Sequence, residues 1–204
     1  RAMRGNEVDA FEAKYGYKPT PLRTSLDSLA VFVHKDNPIK GLSLAQVDSL
    51  FSKTFRCKGV DAKTWGGVGT DGAWATSPVS LYGRNSASGT YGFFKEHALC
   101  NGDFKDTVKE QPGSASVVQG VTEDRNGAGY SGIGYATAGV RAVPLAAKEG
   151  EAYQEANYQN VISGKYPLAR FLFIYINRAP GQALDPLMRE FTKFIFSKEG
   201  QEIV

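Results

Sequence analysis

Short apolar runs alternating with stretches of helical spacing constrain this chain more than any other feature. Residues 26–33, 78–82, 131–136, 140–145 and 170–177 have the length and the β-branched or aromatic content of strands. Between them lie segments with helix punctuation. In 6–15, Val8, Phe11 and Tyr15 share a face, with Asn6 as cap and Gly16 at the stop. Ser43 opens 44–51, and Gln46 three places on completes a capping box. Ser114 reads as the cap of 115–121, 91–99 as a further helix, and Asp185-Pro186 as the cap and first turn of 187–196. Such alternation predicts α/β layers around a mostly parallel, covered sheet. The stripe from Phe171 to Tyr175 reads as core, and 56–78 and 147–165 as polar loops, with Trp65 and Trp74 anchoring the first.

Composition excludes more than it proposes. A formal charge of +3, from 24 basic and 21 acidic side chains, is too small to mark nucleic acid or an anionic membrane as partner. The longest apolar stretch, Phe171-Leu172-Phe173-Ile174-Tyr175-Ile176, has the length of a buried strand, far short of the roughly 18 residues of a membrane span. His34, His97, Cys57 and Cys100 do not suggest the common four-ligand zinc site, so no metal is expected. The two cysteines suit one disulfide or two unrelated thiols, and spacing leaves both open. The chain opens Arg1-Ala2-Met3-Arg4 without a leader and closes on Gln201-Glu202-Ile203-Val204 inside an expected helix. It reads as a chain cut at both ends.

The stretch with the most chemistry runs from Leu81 to Phe94: a strand, a polar turn, then a helix beginning around Ser88 to Thr90. A helix N-terminus offers unpaired N–H groups and partial positive charge, the ingredients of an anion site. Gly89 permits close backbone approach, Ser88 and Thr90 bring hydroxyls, and Arg84 is near enough to fold its guanidinium over the same anion. The plainer alternative is a serine that only caps and an arginine that only solvates a turn. The segment lacks the lysine of a Walker loop and the glycine spacing of a dinucleotide fingerprint, which argues against a nucleotide.

Arg84-x-x-x-Ser88-Gly89-Thr90 followed by an aromatic helix resembles the phosphate-binding proteins of ABC-type phosphate importers. Other segments agree in order: Arg1-Ala2-Met3 with Glu7, Leu26 to Val31 with Asn37-Pro38, Gly132-Ile133-Gly134-Tyr135, Tyr166-Pro167-Leu168-Ala169-Arg170, and Phe191 to Gln201. The resemblance spans essentially the whole chain. It implies an α/β fold of the periplasmic-binding-protein type II kind, with two lobes joined by two crossover strands and one lobe incomplete. Residues 1–34 and 166–204 would form the partial lobe with the crossovers, and 35–165 the lobe carrying the anion loop.

The resemblance further implies that Arg84, Ser88, Gly89 and Thr90 bind inorganic phosphate in an interlobe cleft, for delivery to a membrane permease. Neither catalysis nor a cofactor is implied, and the location would be periplasmic or extracellular. An oxidising space of that kind favours a Cys57–Cys100 disulfide. Several family members carry an acidic residue where this chain has Ser86, so Arg84 would be less neutralised here. The competing functions are a phosphatase on the same scaffold, a receptor for sulfate or another tetrahedral oxyanion, and an adhesion or signalling protein. Among other candidates, Asp27 reads as a strand-end residue bonded to backbone, His34 as an exposed turn residue and His97 as polar helix surface.

Overall fold

Burial on both faces accounts for the central strand. β1 (Thr20–His34) carries the uninterrupted apolar run Leu29-Ala30-Val31-Phe32-Val33, every member of which is fully buried. Side chains alternate across a strand, so Leu29, Val31 and Val33 enter one apolar cluster and Ala30 and Phe32 another. The structure is a computed structural model describing residues 1–203. The chain divides into two compact units: Ser28–Ala169, and Arg1–Asp27 together with the chain from Arg170 onward.

The larger unit is built on a sheet that also includes β3 (Ser80–Arg84), β4 (Lys109–Gln111), β5 (Gly127–Gly132) and β6 (Val140–Ala142), in the order β4-β3-β5-β1-β6. β3 pairs parallel with β4 and β5, but β1 pairs antiparallel with β5 and β6. The sheet is therefore mixed, not mostly parallel. A helical crossover fixes the relative direction of the strands it joins. Such crossovers, α3 (Gly89–Ala98) and α4 (Ser114–Glu123), link β3, β4 and β5 only. The direction of β1 has no local signal. A short parallel pair, β2 (Leu42–Ser43) and β7 (Leu145–Ala146), stands apart, and α2 (Leu44–Phe51) follows β2.

Helix starts obey their local chemistry. Ser43 Oγ accepts from the Gln46 N–H at 3.2 Å and Gln46 Oε1 from the Ser43 N–H at 2.8 Å, the expected capping box. Valines 117, 118 and 121 of α4 pack beside Tyr82, and Gly120 allows the close approach: a Cβ there would lie 2.5 Å from the Tyr82 ring. The glycine-rich segment extends as a strand only to Gly132; Ile133–Tyr135 forms a 3-10 turn. Gly132 pairs with Leu29 in the last register position beside β1, so the ladder ends there. Within 147–165, expected to be irregular, Asn157 caps the short α5 (Tyr158–Ile162). Trp65 is fully buried, and Trp74 packs partly buried against the same core.

A clasp centred on Asp124 closes the far end of α4. The Tyr82 hydroxyl donates to Asp124 Oδ2 at 3.0 Å, the Asn126 N–H donates to Oδ1 at 3.0 Å, and Lys109 Nζ lies 3.6 Å from Oδ2. Burial works to raise the Asp124 pKa. Hydrogen bonds from Ser80, Tyr82 and Asn126, with the Lys109 charge, outweigh it and hold the carboxyl below its ordinary 3.8. A depressed pKa contributes stability that is complete above the unfolded value and lost as pH falls through the folded one. Asp124→Asn should therefore cost about 1 kcal/mol in urea unfolding at neutral pH. The gap to wild type should close below the ordinary value; a gap unchanged at low pH would show that the charge contributes nothing.

In the smaller unit, α1 (Gly5–Tyr15) begins at Arg4, whose N–H donates to Glu7 Oε2 at 2.7 Å; Asn6 already lies inside the helix and does not cap it. The Arg1 guanidinium donates to both Glu7 oxygens, and together these bonds hold the Glu7 carboxyl down to about 2. β8 (Ala169–Ile176) pairs with β1. Asp27 bonds a side chain rather than backbone: Arg170 Nη2 and Nε donate to its Oδ2 at 2.8 and 3.0 Å. Asp185 caps α6 (Pro186–Ile195) through the Leu187 and Met188 N–H groups, and α7 (Lys198–Glu202) follows. Val204, where the sequence reading ended a helix, lies outside the described residues. The Phe171–Tyr175 stripe is not closed core, since Phe171 and Leu172 are exposed, as are Phe191 and Phe194 of α6. No helix among the described residues is long and apolar enough to cross a membrane.

Candidate anion-binding site

At the end of β3 the chain leaves the sheet at Arg84, turns through Asn85 to Ala87, and enters α3 at Gly89 with Ser88 as N-cap. The Ser88 N–H donates to the Asn85 carbonyl at 3.1 Å, and Ser88 Oγ accepts from the Thr90 N–H at 3.1 Å. Short hydroxyl caps of this kind fix where a helix begins. They place Arg84, Ser88, Gly89 and Thr90 within one strand–turn–helix unit. Gly89 is exposed, Ser88 half-buried and Thr90 buried.

The Arg84 guanidinium does not drift in solvent. Nη1 donates to Ser114 Oγ at 2.8 Å and Nη2 to the Pro112 carbonyl at 3.4 Å, while Nε is buried with no hydrogen-bond partner. Both partners are neutral, and among the described residues no carboxylate lies within ion-pair distance of Arg84. Ser86 is exposed and makes no such contact. Ser114 is the first residue of α4, not its cap, which is Gly113; its hydroxyl is taken by Arg84. The Arg84 guanidinium thus sits at the start of α4, and its backbone leads through a short turn into the start of α3; helix starts have first-turn N–H groups without intrahelical acceptors and carry partial positive charge. An arginine without a counter-charge beside such a start suits an oxyanion.

Sequence reasoning missed three members of this arrangement. Ser114 and Pro112 hold the guanidinium, and the Tyr130 hydroxyl accepts from the Arg84 N–H at 3.2 Å. Burial pushes the Tyr130 phenol well above its ordinary value, so the hydroxyl keeps the proton with which it also donates, to the Arg84 carbonyl at 3.4 Å. The one local signal was Gly83: a Cβ there would come within 2.9 Å of the Tyr130 ring, so a side chain must pass beneath that position. Arg84 and Tyr130 also line a concavity of about 460 Å³ with Tyr91 and Glu110. A broader hollow of about 710 Å³, between α4 and Tyr82, contains none of the four predicted anion residues.

The remaining candidates stand elsewhere. His97 is exposed, stacks on Phe93 and sits 3.1 Å from the Phe93 carbonyl. His34 Nδ1 accepts from the Asp36 N–H. Among the described residues neither is paired with a serine or cysteine. Among the described residues no cluster of three His, Cys, Asp or Glu suits a metal ion. Cys57 and Cys100 are joined by a disulfide at the other end of α3.

Comparisons with known proteins give a consistent family. A model of the PBP superfamily domain matches residues 1–199. Over 205 residues the chain is 59% identical to the phosphate-binding protein PstS of Pseudomonas aeruginosa, a match covering 100% of this chain and 64% of that protein. It is 28% identical to phosphate-binding protein PstS of Staphylococcus aureus, covering 98% of this chain and 58% of the other. The chain therefore spans about three-fifths of the length of these relatives. Among solved structures it superposes, with a TM-score of 0.79 and 24% identity, on a Clostridium perfringens protein assigned as a phosphate ABC transporter substrate-binding protein and solved with bound phosphate. That match covers 100% of this chain and 73% of the other. An ABC-type phosphate transport receptor from Vibrio cholerae gives 0.72 at 19% identity, covering 100% and 74%.

Proposed function

The chain belongs to the PBP superfamily, and from that premise we propose that it carries the anion grip of a solute receptor for inorganic phosphate serving an ABC importer. The observation that carries this reading is Arg84, held by the Ser114 hydroxyl at the start of α4 and by the Pro112 carbonyl, with a buried Nε unsatisfied, on the segment that turns into α3. A tetrahedral oxyanion there gains a charge-assisted bond from the guanidinium and neutral bonds from the Ser88–Thr90 turn. The Ser88 and Thr90 hydroxyls and the Gly89 peptide are the remaining contacts of this reading. Binding is expected to be reversible and non-covalent, with no reaction catalysed. A periplasmic or extracellular location fits the disulfide, and delivery to a membrane permease follows from the importer role.

Isothermal titration with phosphate, and with sulfate as control, tests the proposal. Saturable phosphate binding with much weaker sulfate binding is the expected result. Equal affinity for both would make the site a general tetrahedral-oxyanion receptor. No saturable phosphate binding by folded protein would overturn the reading. Turnover of p-nitrophenyl phosphate, with or without divalent metal, would move the function to the hydrolase class.

A further inference from the structure

Tyr130 is fully buried on β5. Beside β3 the β5 register runs from Ser80↔Gly127 to Tyr82↔Gly129 and stops there, whereas β4 follows β3 as far as Arg84. The Arg84 peptide thus has no register partner on its β5 side. The Tyr130 hydroxyl fills that place, bonding both the N–H and the carbonyl of Arg84. The same ring lies 3.9 Å from Phe94 of α3 with 7° between the planes, and Phe51 and Phe104 close the cluster around it. We infer that Tyr130 is a positioning residue for the anion site: its hydroxyl sets the Arg84 peptide at the end of β3, its ring seats α3, and one side chain ties both halves of the cradle together. This inference rests on the reading of Arg84 and the start of α3 as an anion site.

A tyrosine that merely filled the core would be replaceable by phenylalanine, because the ring keeps its neighbours. Among the described residues the hydroxyl bonds Arg84 alone, so Tyr130→Phe isolates its contribution. In titrations of inorganic phosphate, Tyr130→Phe is expected to bind about five- to ten-fold more weakly than wild type. In an Arg84→Lys background the same change should cost less than about two-fold, since the misplaced peptide no longer aims a guanidinium fork. Without ligand, hydrogen exchange of the Arg84 amide should accelerate in Tyr130→Phe while the α2 amides keep their wild-type rates. Wild-type affinity in Tyr130→Phe, or an equal loss in both backgrounds, would overturn the inference and leave the anion reading standing. A wild-type protein that binds no phosphate would remove the anion reading itself, and the inference with it.

Discussion

Replacing Arg84 with alanine is expected to weaken phosphate binding by at least about a hundred-fold, the scale on which removing one member of a desolvated charge pair acts. The guanidinium is partly buried, its fork bonds Ser114 Oγ and the Pro112 carbonyl, and among the described residues no carboxylate lies within ion-pair distance of it. A bound oxyanion would be its counter-charge, in surroundings where Coulomb attraction is screened less than in water. The loss should fall mainly on the dissociation rate, because a short-range bonded contact governs residence more than encounter. Lys148→Ala removes the same formal charge from an exposed position and should leave affinity within about two-fold. That contrast separates a local grip from the field of a weakly basic protein. Arg84→Ala binding within three-fold of wild type would reduce the segment to a capped turn.

What the sequence made legible was local. Ser43 with Gln46, Asp185 with Pro186, and Ser88 before α3 are each written within a few residues, and each helix begins where its cap places it. The strand–turn–helix unit that carries Arg84, Ser88, Gly89 and Thr90 was readable for the same reason. The partners that give Arg84 its geometry come from 28 to 46 residues away, at Pro112, Ser114 and Tyr130, and no periodicity encodes such a meeting. Asp27 with Arg170 is more distant still, 143 residues apart. The direction of β1 escaped because alternation specifies crossovers, not the orientation of a strand outside them. Phe171 and Leu172 are exposed in a chain that spans about three-fifths of its relatives' length, and an apolar run reports what a strand can bury rather than what covers it.

The disulfide should govern stability without governing binding. Cys57 and Cys100 are 43 residues apart, and by the chain-entropy relation closing a loop of that length stabilises the fold by about 4 kcal/mol. The folded ends do not depend on the bond for their placement. Asp48, fully buried, accepts from the Cys57 and Gly59 N–H groups at 2.9 and 3.1 Å; Arg56 Nη1 donates to the Asn101 carbonyl at 3.2 Å; and Lys95 pairs with Asp103 at 2.7 Å. Removing the bond should therefore act on the unfolded chain, which becomes free to expand. Cys57→Ser/Cys100→Ser, which leaves no unpaired thiol, is expected to lose up to about 4 kcal/mol in urea, with a steeper dependence on denaturant because more surface is exposed on unfolding. The bond lies at the C-terminal end of α3, a helix of 10 residues and so about 15 Å from the Ser88 cap. Phosphate affinity should consequently stay within about two-fold of wild type under conditions where the double variant remains folded. A large affinity loss in folded protein would show instead that the tether orders the whole helix, and that the anion grip is set from its far end.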